Sequence, residues 1–167
     1  MTAPREVKPI EIGDAFPSLT GRLMSGRKLS IPHDLHGDVG IVIMTWDDTA
    51  TDEMAMWRQD LLEVYGLLPD VRVIEVAMIS AVGPVLGSVI DRIMVQQTPL
   101  PEREHAMVVY GDLRRQRAQL DTVMSALPQS AVFLIGRNGR LAWRADGLPT
   151  PERIAALQKA LGEVGVF

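Results

Sequence analysis

Val39-Gly40-Ile41-Val42-Ile43-Met44, running into Thr45-Trp46-Asp47-Asp48-Thr49-Ala50-Thr51-Asp52, is the stretch from which the rest of the chain can be ordered. Six apolar residues without a break make a run of strand length, and the absence of polar alternation marks a strand covered on both faces. Beyond Asp52 the apolar residues recur with a different period. Met54, Trp57, Leu61, Val64 and Leu68 are spaced three and four apart, as on one face of a helix. Thr51, Asp52 and Glu53 stand at its start, where a hydroxyl and carboxylates satisfy orphan amides and the helix dipole. Pro69-Asp70 breaks the pattern, and Val71 to Ala77 is again rich in β-branched residues.

The alternation continues toward the carboxyl terminus. Val85, Val89, Ile90 and Ile93 predict a second helix, approached through Gly83-Pro84, and residues 96–105 read as a proline-containing loop. Ala106 to Tyr110 is a third buried strand. Asp112 is placed to cap a helix with Leu113, Gln116, Leu120, Val123 and Leu127 on its inner face. Ala131 to Ile135 and Leu141 to Trp143 flank Gly136-Arg137-Asn138-Gly139, and the Asn-Gly pair is a strong hairpin signal. Thr150-Pro151-Glu152 opens a last helix, with Ile154, Leu157, Leu161 and Val164 facing inward. Crossover helices between strands imply a parallel core, and the terminal hairpin adds an antiparallel edge. The expected architecture is an α/β three-layer sandwich around a mixed sheet. It forms a single domain over residues 1–167, with residues 1–11 expected to be flexible.

Composition removes several classes of function. The 167 residues include 47% hydrophobic and 23% charged residues, an ordinary globular balance. A formal net charge of −4 argues against a nucleic-acid partner, which requires a basic face. The chain has three histidines and no cysteine, so it can form no disulfide, thiolate metal site or cysteine nucleophile. Residues 1–11 lack the apolar core of a signal peptide, and no apolar run approaches the ~20 residues that cross a bilayer. The expectation is a cytoplasmic protein without membrane insertion.

Ile12-Gly13-Asp14-Ala15-Phe16-Pro17-Ser18-Leu19, then Gly26 to Pro32, Asp34-Leu35 and Gly37, resemble the opening of peroxiredoxin and thioredoxin-like domains. Val132 to Trp143, continuing through Gly147, Thr150 and Glu152, resembles their final hairpin and helix. Within that superfamily, Ile90-Asp91, Tyr110-Gly111-Asp112, Gly139-Arg140 and Trp143 before Gly147 are similar to the mitochondrial ATP synthase assembly factor ten and its bacterial thioredoxin-like relatives. The resemblance implies a thioredoxin-like fold over nearly the whole chain.

The departures bear on function. Thioredoxins carry two cysteines where the first core strand meets the next helix; the matching window here is Thr49 to Asp52, without a thiol. Asp47, Asp48, Asp52 and Glu53 also give that window a negative field, whereas a reactive thiolate needs a positive one. The position of the family's cis-proline, before the hairpin strand, is Ser130, with Pro128 two residues upstream. The resemblance therefore implies neither a thiol oxidoreductase nor a peroxidase. It implies a non-catalytic protein that binds an unknown protein partner, with an assembly or chaperone-like role, and no cofactor. The candidate binding residues are those of the former redox groove: Trp46, Asp47, Asp48, Thr49, Asp52 and Ser130.

Other constellations have simpler accounts. Asp47, Asp48 and Asp52 could bind a divalent ion or a small ligand in a cysteine-free enzyme, but helix capping explains the same residue types. His33, Asp34, His36 and Asp38 invite a metal site, yet they fall in a turn between an opening strand and the first core strand. His105 reads as a solvated loop histidine. Arg114, Arg115 and Arg117 could form a local anion or partner patch, but such a run is more often the wet side of a helix. Gly83 to Gly87 lacks the lysine of a phosphate loop. Trp46 serves either as a binding anchor or as packing under the loop. A homodimer stands as a third reading.

Overall fold

The computed structural model describes residues 8–46, 51–80, 82–120 and 130–167. Seven strands form one sheet: β1 (Leu19–Leu23), β2 (Lys28–Ile31), β3 (Val39–Trp46), β4 (Val71–Ser80), β5 (Ala106–Gly111), β6 (Ala131–Ile135) and β7 (Leu141–Asp146). Their spatial order is β2-β1-β5-β4-β3-β6-β7. The helices are α1 (Thr51–Tyr65), α2 (Pro84–Gln97), α3 (Leu113–Gln119) and α4 (Pro151–Glu163). β3, β4 and β5 pair in parallel, while β6 runs antiparallel to both β3 and β7. This is the mixed sheet with a carboxyl-terminal antiparallel hairpin that the sequence pattern predicts.

The unbroken apolar run explains why β3 lies inside. All eight of its residues are buried, and its side chains divide between two cores. Ile41 and Ile43 pack with Trp57 and Leu61 of α1 and with Leu157 and Leu161 of α4. Val42 and Met44 join Phe16, Leu35, Leu120 and Phe133 on the opposite face. The sheet is thus the middle of three layers. In the β6–β7 hairpin, Gly139 takes φ +75°, a value that L side chains rarely adopt, and its N–H donates to Gly136 O at 2.9 Å. Thr150 Oγ1 caps α4 by accepting from Arg153 N at 3.2 Å. Thr150→Ala is expected to cost about 1 kcal/mol in urea unfolding.

Several elements differ from the sequence reading. β1 and β2 form an amino-terminal hairpin where the pattern shows a single opening strand, and Arg22 and Leu23 pair β1 with β5. Such short strands at a sheet edge give little periodicity to read. On α1, Val64 is exposed and Tyr65 is buried in its place, because Tyr65 lies one turn beyond Leu61 on the covered face. Of the stretch 1–11, residues 1–7 lie outside the described residues. Ile10, however, is buried and its N–H donates to Gln119 O at 2.9 Å, so the chain is anchored from that point. Val123, Leu127 and Pro128 also lie outside the described residues, and the helix capped by Asp112 is described over Leu113–Gln119.

α2 sits where the sequence pattern puts it, but none of its residues is buried. Tyr110 on β5 fastens it to the sheet. Its hydroxyl lies 2.7 Å from Asp91 Oδ1 and 3.2 Å from Gly87 O on α2. Burial, and secondarily the bond to Asp91, raise the Tyr110 pKa above its ordinary value. Tyr110→Phe removes these bonds while keeping the ring, so α2 amides are expected to exchange with solvent roughly ten-fold faster, on the scale of about 1–2 kcal/mol per lost bond to a charged partner.

Candidate functional site

The carboxyl end of β3 carries the candidate groove. Thr45 and Trp46 are its last residues, paired with Ala77 and Met78 of β4. On the other side the β3–β6 ladder reaches Met44 opposite Ala131. Carried one step further, the antiparallel register sets Thr45 beside Ser130. The structure therefore brings Trp46 and Ser130 to neighbouring strand ends, although they are more than eighty positions apart in sequence.

Both residues are enclosed. Trp46 is 2% exposed and Ser130 is fully buried. Arg117 of α3 lies over the Trp46 ring, 5.1 Å from its centroid, in cation–π geometry. Of the three arginines on α3, Arg114 and Arg115 are exposed while Arg117 is partly covered by this contact. Of the two roles for Trp46 in the sequence, packing is the one the described residues display. Asp52 is exposed in the first turn of α1. Asp47, Asp48 and Thr49 lie outside the described residues.

Gly147, in the β7–α4 connection, knits this end together. Its N–H donates to Ser130 O at 2.8 Å, and its carbonyl oxygen accepts from Trp57 Nε1 at 2.8 Å and from Ser130 Oγ at 3.4 Å. One backbone unit thus joins α1, the start of β6 and the approach to α4. Arg144 on β7 adds a second tie, donating to Leu120 O at 2.6 Å and pairing with Asp146 at 3.0 Å. The site end is a firmly hydrogen-bonded frame around buried hydroxyls.

The remaining candidates resolve locally. Asp34 Oδ2 accepts from Ser30 N at 2.7 Å, and His33–Leu35 forms a 3-10 turn with the His33 and His36 rings 6.0 Å apart. His105 is half-buried rather than solvated: its Nδ1 is 2.9 Å from Val73 O, and since a carbonyl only accepts, that nitrogen carries the proton. Among the described residues, no group of three or more His, Cys, Asp or Glu side chains is placed to hold a metal ion. Nor, among them, is any helix long and apolar enough to cross a membrane.

One titratable group escaped the sequence reading. Glu75 lies in the middle of β4, where neighbouring strands and packed layers cover it to 7% exposure. A lone carboxylate within an apolar run that reads as a central strand was the available signal. Its Oε1 is 3.2 Å from Arg58 Nε, and Arg58 also reaches Glu102 at 3.6 Å. Burial pushes the carboxyl up to about 7, with Arg58 opposing that shift and Glu102 adding to it. Glu75 borders a cleft of about 70 Å³ that is also lined by Met24, Met54, Met94 and Met107. Arg58→Met removes the opposing cation, so a titration of Glu75 by NMR is expected to place its midpoint still higher.

No protein-family model and no curated protein matches the chain. Its architecture does match solved structures. It is similar to BsSco, of the Sco family of cytochrome c oxidase assembly proteins, at 12% identity and a TM-score of 0.63, over 95% of this chain and 98% of that one. It is similar to a thiol:disulfide interchange protein DsbE from Chlorobium tepidum at 20% identity and a TM-score of 0.61, over 93% and 99% of the two chains. A peroxiredoxin-like protein from Aquifex aeolicus matches at 15% identity and a TM-score of 0.54, over 93% of this chain and 90% of that one. At such identities the likeness establishes the fold. The chain has the thioredoxin-like fold, and with no cysteine in its sequence it holds no thiol with which to exchange a disulfide.

Proposed function

We propose that this chain is a non-catalytic thioredoxin-like protein that works by binding an extended segment of another protein. The groove lies at the carboxyl end of β3, between Trp46 to Asp52 and Leu127 to Ala131, and the role is one of assembly or chaperoning. One observation carries this reading: the sheet keeps its pairing as far as Trp46 and Ala131, beside a window without thiols. A frame retained without its sulfur chemistry keeps the other half of a thiol-exchange protein's task, which is to hold a chain. The fold-level likeness to an assembly protein of the Sco family supports this reading, as does the sequence resemblance to the ATP synthase assembly factor. Where such a segment also pairs with an edge strand it gains main-chain hydrogen bonds, and this requires no titratable group.

A photo-reactive residue at position 52 tests the reading, with position 152 on α4 as the control. Both positions are exposed. The expected result is a discrete adduct from position 52 to one partner protein and none from position 152. Equal labelling from both positions, or none from position 52 while a partner still co-purifies, contradicts the groove.

A further inference from the structure

α2 differs from every other long helix in the chain. Four of its apolar side chains point to water: Val85 is 82% exposed, Leu86 54%, Val89 46% and Ile93 47%, with Val82 just before the helix also uncovered. Leu86, Val89 and Ile93 stand at i, i+3 and i+7, the spacing of a seam between two helices. On the side toward the sheet Ile90, Met94 and Val95 are half-buried, and Tyr110 adds its hydrogen bonds to Gly87 and Asp91. The solvent-facing apolar side must therefore be explained by what covers it.

We propose that this face is the contact between two copies of the chain, their α2 helices packed antiparallel across a twofold axis near Val89. Charge selects the occupant. The protein carries a formal net charge of −4, so two copies repel each other over most of their surfaces. From Val82 to Pro101 the only charged residues are Asp91 and Arg92, which cancel, and Asp91 is already engaged by Tyr110. This stretch is neutral in an acidic protein and offers no charge pattern to select an acidic or basic partner. It is also self-complementary. In the antiparallel register Ile93 of one copy falls on Val85 and Leu86 of the other, and Arg92 faces an apolar position rather than a second arginine.

The area is sufficient. The five apolar side chains expose roughly 400 Å² per copy, within the upper range of what a monomer leaves in one patch. With the stems of Arg92 and Gln96 beside them, a pair buries on the order of 1,000 Å², the floor for a specific interface. An interface at that floor belongs with the weak, transient class. The proposal rests on the exposure of α2 and on none of the groove residues, so its tests are independent of the proposed function.

Sedimentation velocity of the full chain from about 1 to 300 µM reads such a weak association directly. The expected result is a shift from 18.4 kDa toward twice that mass as concentration rises. Val89→Asp is expected to remain monomeric throughout with an unchanged circular dichroism spectrum, because position 89 is already half-exposed. The lack of native cysteine supplies a second measurement: Val89→Cys, the sole thiol in the variant, is expected to cross-link copy to copy under mild oxidant, while Gln158→Cys on α4 is not. A wild-type chain that stays at 18.4 kDa overturns the proposal, as does a Val89→Asp variant that still associates. Preferential cross-linking through position 158 would also overturn it. So would a monomeric wild type from which Val89→Asp displaces a different protein, since that assigns the face to that protein.

Discussion

Trp57→Ala is expected to destabilise the protein by about 3–5 kcal/mol, the cost of deleting a large aromatic side chain from a close-packed core. Trp57 is fully buried where α1 meets the sheet, among Ile41, Ile43, Leu61 and Leu157. Its indole N–H also donates to Gly147 O, the carbonyl that Ser130 shares. For a domain of this size the thermal midpoint falls by roughly 10 °C or more. Trp57→Phe separates the two contributions, since it keeps most of the apolar volume and forfeits the hydrogen bond; about 1–2 kcal/mol is expected. A loss under 1 kcal/mol for Trp57→Ala in urea unfolding would show that α1 is not packed as described.

Glu75→Gln works in the opposite direction. Below about pH 4.5 the carboxyl is protonated in both folded and unfolded chains, and its titration favours neither. From there to about pH 7 the unfolded chain ionises while burial keeps the folded one protonated, so the unfolded state gains and stability falls as pH rises. Above the folded midpoint the penalty is complete, on the order of 3 kcal/mol. Glutamine keeps the shape and carries no charge to desolvate. Arg58 retains Glu102, and its own side chain is one-third exposed, so it is not stranded. The variant should match the wild type below about pH 4 and be more stable at pH 8, with the difference growing between. Parallel pH profiles for the two proteins in urea unfolding would remove Glu75 as the source of the slope.

Legibility in the sequence followed how strongly each element is specified by its own residues. β3 announced itself because a strand covered on both faces needs an unbroken apolar run, and the β6–β7 turn did so because Asn138-Gly139 supplies a left-handed position. The β1–β2 hairpin gave little sign, being two strands of five and four residues at a sheet edge. Val64 and Tyr65 show the limit of helical periodicity: both suit a turn beyond Leu61, and only the packing against the sheet selects Tyr65. α2 shows another. Its apolar spacing predicts a helix correctly, yet the same spacing serves a core face and a face reserved for another molecule.

At the candidate site, the juxtaposition of Trp46 with Ser130 comes from strand register, which the sequence approaches only through its family resemblance. Trp46 is enclosed within the core on one face of the sheet and met by Arg117 of α3, a tertiary fact with no local signature. Glu75 was visible as a polar interruption of an apolar strand, but its significance required knowing that β4 lies between two parallel neighbours.

The most direct measurement is amide hydrogen exchange on the protein alone and in complex with the partner that co-purifies from its native host. Protection gained at residues 46–52 and at 130–131 is the expected result, because a chain laid across those strand ends shields their amides. Protection confined to α2 or to the β2 edge, with residues 46–52 and 130–131 unchanged, would contradict a binding groove built on the former redox site.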